Sequence, residues 1–346
     1  MNVETGGIKL TQLASCGGCA AKYSAARLEE LLRGFVPVEA ENLLVGLAPA
    51  DDAAVYKLDD ERALIFTLDF FPPVVDDPAD YGAIAAANAL NDVFAMGGTP
   101  LLALSIAAFP ESLPTAMLGT IFAAADAQVR AAGGLLAGGH TIRDEEPKYG
   151  LAVVGTVSSD GIWHKSAART GDALYLTKPL GTGLIMTGYR QGLAGTQQLD
   201  RAVGWMRTLN AAPADLLRRL RPHAVTDVTG FGLFGHAWEI ADRSGVRLVL
   251  ESERFPALDG ALDLARKDVR TSGDPRNREF VSGRVDVQPT VPETLVALGF
   301  DPQTAGGLLV SIPAERGAAL EAEFDAARLF ARRVGTVEEG AGVLVT

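Results

Sequence analysis

The residues of this chain best able to do chemistry are mostly acids placed where regular elements begin or end. Asp51 and Asp52 are adjacent and run into a short strand pattern, Asp69 comes where the apolar run from Ala63 to Leu68 stops, and Asp92 sits with Asn88 inside an otherwise apolar helical stretch. A carboxylate on a helix of small residues is costly to bury unless it is paired or holds a metal, so Asp92 calls for a cationic partner or an ion. Any one of these acids reads as solvated turn chemistry. Grouped at element boundaries, where sheet edges collect ligands, they point to a shared divalent-cation site.

A second kind of chemistry stands near the N-terminus, in Ser15-Cys16-Gly17-Gly18-Cys19-Ala20-Ala21-Lys22. The Cys-x-x-Cys spacing fits a dithiol pair, although no thioredoxin-like strand precedes it, or half of a zinc site, although no second pair of closely spaced ligands follows. A third reading is one reactive thiol: Cys19 and Lys22 are three apart, so a helical start brings the ammonium near the sulfur and favours thiolate.

Two glycine-rich stretches complete the inventory. Gly138-Gly139-His140-Thr141 reads as a strand closing on a glycine turn, whose exposed N–H groups can hold phosphate oxygens. Thr226-Asp227-Val-Thr-Gly230-Phe-Gly232-Leu-Phe-Gly235-His236 contains a formal G-x-G-x-x-G with Glu251 about 20 residues on. The segment before it, from Pro222, reads as too polar for the buried first strand of a dinucleotide fold, so the alternative is a turn that sets Asp227 in a cleft. No G-x-x-x-x-G-K-[ST] occurs, which excludes a P-loop.

The elements that must position these residues alternate strand and helix. Strands are expected at 63–69, 101–107, 151–157, 173–177, 246–250, 308–312 and 333–337, and helices around Asp92 and at 115–131, 202–209, 211–220 and 314–327; the polar 270s read as a surface loop. The expected organisation is a Gly-rich flexible segment over 1–48, a first domain over 49–157, a linker over 158–172 and a second domain over 173–346. At 346 residues, with 48% hydrophobic and 21% charged content, the chain is globular rather than disordered. A formal net charge of −12 argues against nucleic-acid or anionic-membrane partners, so an anionic ligand must be met by metal ions or a few lysines. No apolar run is long enough to span a membrane, there is no signal-peptide pattern, and two cysteines make no disulfide framework, which together suggest a cytoplasmic protein.

Taken together, the motifs resemble the selenophosphate synthetases (selenide, water dikinases, class I), within the aminoimidazole-ribotide-synthetase-like, or PurM-like, ATP-binding superfamily. The resemblance rests on Cys-Gly-Gly-Cys-Ala-Ala-Lys at 16–22, Asp-Asp-Ala-Ala-Val-Tyr at 51–56, Asp69-Phe-Phe, Asn88 to Gly98, Gly-Gly-His-Thr at 138–141, the stretch 227–236 and Pro-Gln-Thr-Ala-Gly-Gly at 302–307. It implies an α+β fold of two domains, the first with a mixed or antiparallel sheet that pairs with its copy in a homodimer. It implies the reaction of ATP, selenide and water to selenophosphate, AMP and phosphate. By the same resemblance Cys19 and Lys22 are catalytic and Asp52, Asp92 and Asp227 hold Mg2+. Lys22, Asp51, Asp69, Asp92, Gly139, His140 and Thr141 meet ATP. Two departures stand out: Ala21 replaces a second cysteine found in many members directly before the lysine, and Ala305 replaces a serine.

The rival readings are another ATP-using member of the superfamily (a ribotide synthetase or thiamine-phosphate kinase type), a nicotinamide oxidoreductase resting on Gly230–Gly235 and the cysteines, and a non-catalytic dimeric binding module.

Overall fold

The helix that carries Asp92 forms because its ends are set locally and its middle is small. Asp77 caps it, its carboxylate accepting the Asp80 backbone N–H at 2.8 Å, and Pro78 takes the first position, where no intrahelical donor is needed. Gly97, at φ +77°, ends it. Alanines and Gly82 between them allow close approach: a Cβ on Gly82 would stand 2.2 Å from the Ile121 carbonyl oxygen.

The computed structural model describes residues 8–346 apart from 16, 22–24, 38–39 and 48–49. The first half runs α1 (Ala25–Leu32), β1 (Leu43–Val45), β2 (Ala54–Lys57), β3 (Arg62–Phe71), α2 (Pro78–Ala95), β4 (Thr99–Phe109), α3 (Thr115–Ala131), β5 (Leu135–Arg143) and β6 (Lys148–Ser158). Its sheet has the order β1-β2-β3-β6-β4-β5, antiparallel except for the parallel β4–β5 pair.

The second half runs β7 (Asp172–Leu176), α4 (Thr182–Arg190), α5 (Thr196–Arg207), α6 (Ala211–Leu220), β8 (Ala224–Asp227), α7 (Gly232–Ser244), β9 (Arg247–Leu250), α8 (Ala261–Arg266), α9 (Asp274–Phe280), β10 (Val285–Val287), α10 (Glu293–Phe300), β11 (Leu308–Pro313), α11 (Gly317–Ala326), β12 (Arg332–Glu338) and β13 (Gly342–Val345). The order of its sheet is β10-β13-β9-β12-β7-β11-β8. The fold is therefore α+β, with helices gathered against two largely antiparallel sheets.

The helix α2 lies between the halves. Its inner residues Leu90, Val93 and Phe94 share one apolar core with Leu217, Val225 and Leu308 of the second half. The other face of the first sheet is left uncovered by the described residues: Phe66, Leu68 and Phe70 on β3 and Leu102 and Leu104 on β4 are exposed on one side, since Phe66, Leu68 and Phe70 alternate with buried neighbours.

Several elements differ from expectation. Asp69 is inside its strand, because β3 continues to Phe71 in register with β6 down to the Phe71–Tyr149 pair. Gly138 and Gly139 lie within β5 rather than closing a turn. Ala103 faces Leu136 and Ser105 faces Gly139, so β5 carries one residue more than β4 there, a bulge. Only glycine fits at 139, where a Cβ would come within 2.2 Å of the Ser105 carbonyl oxygen. The segment before Asp227 is a fully buried strand, its polar side chains satisfied in place. The 270s form α9, with Asp274 and Asn277 buried, and the chain ends with β13, which was not foreseen.

Candidate active site

Asp52, Asp92 and Asp227 come together from three separate elements. Asp52 precedes β2, Asp92 is on the last turns of α2, and Asp227 ends β8; one carboxylate oxygen from each lies within 4.8 Å of the other two. The choice between the adjacent acids is plain in the geometry. Asp51 turns away, its oxygens accepting the backbone N–H groups of Asp52 at 2.9 Å and Lys165 at 3.0 Å.

Among the described residues, Lys165 is the cation paired directly with the cluster. Lys165 Nζ is 2.6 Å from Asp52 Oδ1, which also accepts the Thr226 hydroxyl at 3.0 Å, while Asp52 Oδ2 is buried with no hydrogen-bond partner among the described residues. Burial pushes the Asp52 carboxyl up to about 7, with Lys165 opposing and Asp227 and Asp51 adding to the rise. Burial works against the Lys165 ammonium too, but Asp52, Glu239 and Asp51 outweigh it and hold the lysine charged. Three carboxylates facing one small space, one with an orphaned buried oxygen, make a donor set suited to a hard divalent cation.

Around this cluster α2 presents a row of side chains to the second half. Thr67 donates to Asp92 Oδ2 and Asn88 Nδ2 to Asp69 Oδ2. Asn88 Oδ1 accepts the Ala305 N–H at 2.8 Å, and Asn91 Nδ2 reaches the Gly306 carbonyl at 3.1 Å. Asn210 meets the same carbonyl at 2.8 Å and Asn91 Oδ1 at 3.0 Å. The polar residues inside this apolar helix are therefore matched by a loop, residues 303–307, held against them. Lys178 closes the far side, its buried ammonium bound to the carbonyls of Thr208 and Ala305. Burial lowers it to about 7, with Asp227 opposing.

The N-terminal arm reaches this loop. Gly18 N donates to the Pro72 carbonyl at 3.1 Å, and a Cβ on Gly18, at φ +61°, would stand 2.5 Å from Thr304 Oγ1. The Cys19 backbone lies in the 3-10 turn Gly18–Ala21. Its side chain, Cys16 and Lys22 lie outside the described residues.

Gly139, His140 and Thr141 are not brought to the aspartates within one chain. Asp69 is in a row with Leu151, Ser105 and Gly139, which places Gly139 three strands away, about 14 Å. His140 belongs to the next row, with Phe70, Gly150 and Ile106, on the uncovered face of the sheet, whereas Asp69 is buried on the side of α2.

Sequence reasoning missed Lys165, Glu239, Lys178 and Asn210. Lys165, Lys178 and Asn210 are single polar residues in irregular stretches or at an element's end, and Glu239 is a lone acid in the middle of α7, buried where an ordinary helical glutamate is solvated. Trp163-His164-Lys165, in the segment read as a polar linker, offered only the oddity of a tryptophan there.

The family model described as AIR synthase related protein, N-terminal domain, matches residues 50–157, and the C-terminal domain model matches residues 169–346. Among solved structures, the chain resembles thiamine-monophosphate kinase from Stenotrophomonas maltophilia, with a TM-score of 0.67 at 20% identity over 94% of this chain and 96% of the other. It also resembles the hydrogenase maturation protein HypE in complex with ATP, with a TM-score of 0.61 at 20% identity over 98% and 94%. At such identities these two carry the fold alone.

The curated relatives are much closer in sequence. A selenide, water dikinase 2 of Peptoclostridium acidaminophilum is 45% identical over 90% of each chain, and a selenide, water dikinase of Caldanaerobacter subterraneus is 44% identical over 89% of each. One from Myxococcus xanthus is 42% identical over 96% of this chain and 95% of its own. Identity at that level over about nine-tenths or more of each chain makes this chain a member of the selenide, water dikinase family.

Proposed function

We propose that the chain converts ATP, selenide and water to selenophosphate, AMP and orthophosphate. The observation that carries this reading is the convergence of Asp52, Asp92 and Asp227 on one space, with the Asp52 Oδ2 unpartnered among the described residues, in a chain of this family. Mg2+ held there by the three carboxylates would neutralise the phosphate chain of ATP and the charge that develops on a transferring phosphoryl group. A protein with a net charge of −12 needs that help to hold a polyanion.

The chain's own residues divide the remaining work. Thr67 and Asn88 orient the carboxylates of Asp92 and Asp69 toward the nucleotide phosphates. The Cys19 thiolate captures selenide, and the Lys22 ammonium adds a point charge beside the phosphates. The docking of Gly17 and Gly18 between Pro73, Val74 and Thr304 supports an arm that covers the site and excludes water from the first transfer.

His140 touches the nucleotide only if a second copy of the chain supplies it, because the sheet separates it from Asp69, and Gly139 and Thr141, its neighbours on the edge strand β5, would arrive with it. The uncovered apolar face that bears Phe66, Leu68 and Leu104 supports a homodimer formed through that sheet.

Phosphorus NMR of the protein with MgATP and selenide under anaerobic, reducing conditions tests the reading. Selenophosphate and AMP are expected in equal amounts. ADP accumulating without a need for selenide would move the chain to a kinase of the thiamine-phosphate type.

A further inference from the structure

The two oxygens of Asp52 are not equivalent. Oδ1 is filled by Lys165 Nζ at 2.6 Å and by the Thr226 hydroxyl at 3.0 Å, and Oδ2 is buried without a hydrogen-bond partner among the described residues. Lys165 is held at its backbone as well as at its ammonium. Its backbone N–H is bound to Asp51 Oδ2 at 3.0 Å and its carbonyl accepts the Ser244 hydroxyl at 2.9 Å. Behind the ammonium stands Glu239 Oε2 at 3.4 Å, itself held by His236 Nδ1 at 3.0 Å. The lysine is 4% exposed and belongs to the connector between the two matched domains.

We propose that Lys165 sets which divalent cation the three aspartates accept: by filling Oδ1 it limits Asp52 to a single coordinating oxygen. The proposal rests on the reading that Asp52, Asp92 and Asp227 hold a divalent ion. Mg2+ takes six oxygens at short, octahedral distances and binds carboxylates through one oxygen. Ca2+ is larger, takes six to eight and gains from a carboxylate that offers both. A pinned Asp52 therefore suits Mg2+ and denies Ca2+ a ligand atom.

Removing the ammonium changes the local charge equally for both ions, so the ratio of the two affinities isolates the geometric effect. The test is calorimetric titration of Ca2+ and of Mg2+ into the metal-stripped full chain without nucleotide, for wild type, Lys165→Met, Asp52→Asn and the double variant Lys165→Met, Glu239→Gln. The double variant removes one positive and one negative buried charge together, so it retains a folded core if Lys165→Met alone does not. Freed from its ammonium, Asp52 is expected to raise the Ca2+ to Mg2+ affinity ratio by about tenfold, the lower end of what outer-shell partners are worth to a metal site.

A ratio equal to wild type in the folded Lys165 variants overturns the proposal. Wild-type protein that binds Ca2+ more tightly than Mg2+ overturns it without any variant. Asp52→Asn that leaves both affinities untouched removes instead the assignment of the aspartates on which the proposal stands.

Discussion

Asn88 and Ala305 are 217 residues apart in sequence, yet the Ala305 backbone N–H donates to Asn88 Oδ1 at 2.8 Å while Asn88 Nδ2 donates to Asp69. One buried amide thus ties the central helix to the loop of the second half and aims a carboxylate of the site. Ala305 is held there at φ +48°, a conformation unusual for a residue with a side chain. Asn88→Ala takes away both bonds and is expected to lower stability by about 1–3 kcal/mol, the cost of leaving a buried polar group unmatched. Urea unfolding, read as a lower midpoint at unchanged slope, checks it.

Asp227→Asn and Asp92→Asn keep shape and remove charge where the cation is proposed to bind. Each is expected to reduce selenide-dependent AMP formation by at least about a hundredfold, the scale of losing one preorganised electrostatic contact. Asp51→Asn serves as the neighbouring control. Its oxygens are engaged by backbone amides, so it is expected to cost stability more than turnover. Comparable losses of turnover at 51 and 52 would reverse the assignment.

Lys178 gives the metal-free protein a pH dependence of its own. Burial brings its pKa down to about 7 in the folded chain, against Asp227, while the unfolded lysine titrates near 10.4. Between those values the unfolded chain binds more protons, so stability rises with pH. The penalty is complete below about 7 and is relieved toward 10. Chemical denaturation in EDTA at pH 7 and 9 is expected to show a gain in wild type of up to about 1.4 kcal/mol per pH unit that Lys178→Met lacks.

The uncovered sheet face makes a prediction about assembly. Leu68, Ala152 and Leu104 stand in one row across β3, β6 and β4, and Leu68 is 54% exposed. Leu68→Glu puts a charge in the middle of that patch without touching the buried side. A proposed dimer should then run as a monomer in light scattering coupled to gel filtration, with its thermal transition little changed. Wild type running as a monomer would remove the dimer altogether.

How much of this was legible in the chain follows from what sequence patterns report. The helix expected at 115–131 is α3 to the residue, because its burial recurs at helical spacing on Met117, Ile121, Ala125 and Val129. The strand preceding Asp227 escaped, because Thr226 and Asp227 are polar and buried at once, satisfied by partners that no local pattern reveals. The Gly138–Gly139 pair was legible as a place where backbone comes close. Whether it turned or bulged depended on its β4 neighbour.

By itself the sequence determined the alternation of elements, the acidic balance that requires a cation for any polyphosphate, and the presence of amides and a carboxylate inside an apolar helix. Those are properties of composition and local spacing, which exist before the chain folds. Only the tertiary structure showed why Asp52 rather than Asp51 faces Asp92 and Asp227, that Lys165 from the connector occupies one of its oxygens, and that the sheet keeps His140 away from Asp69. Each depends on which side of an element faces which neighbour across long loops, and a carboxylate's partners are fixed only when packing closes the space around it.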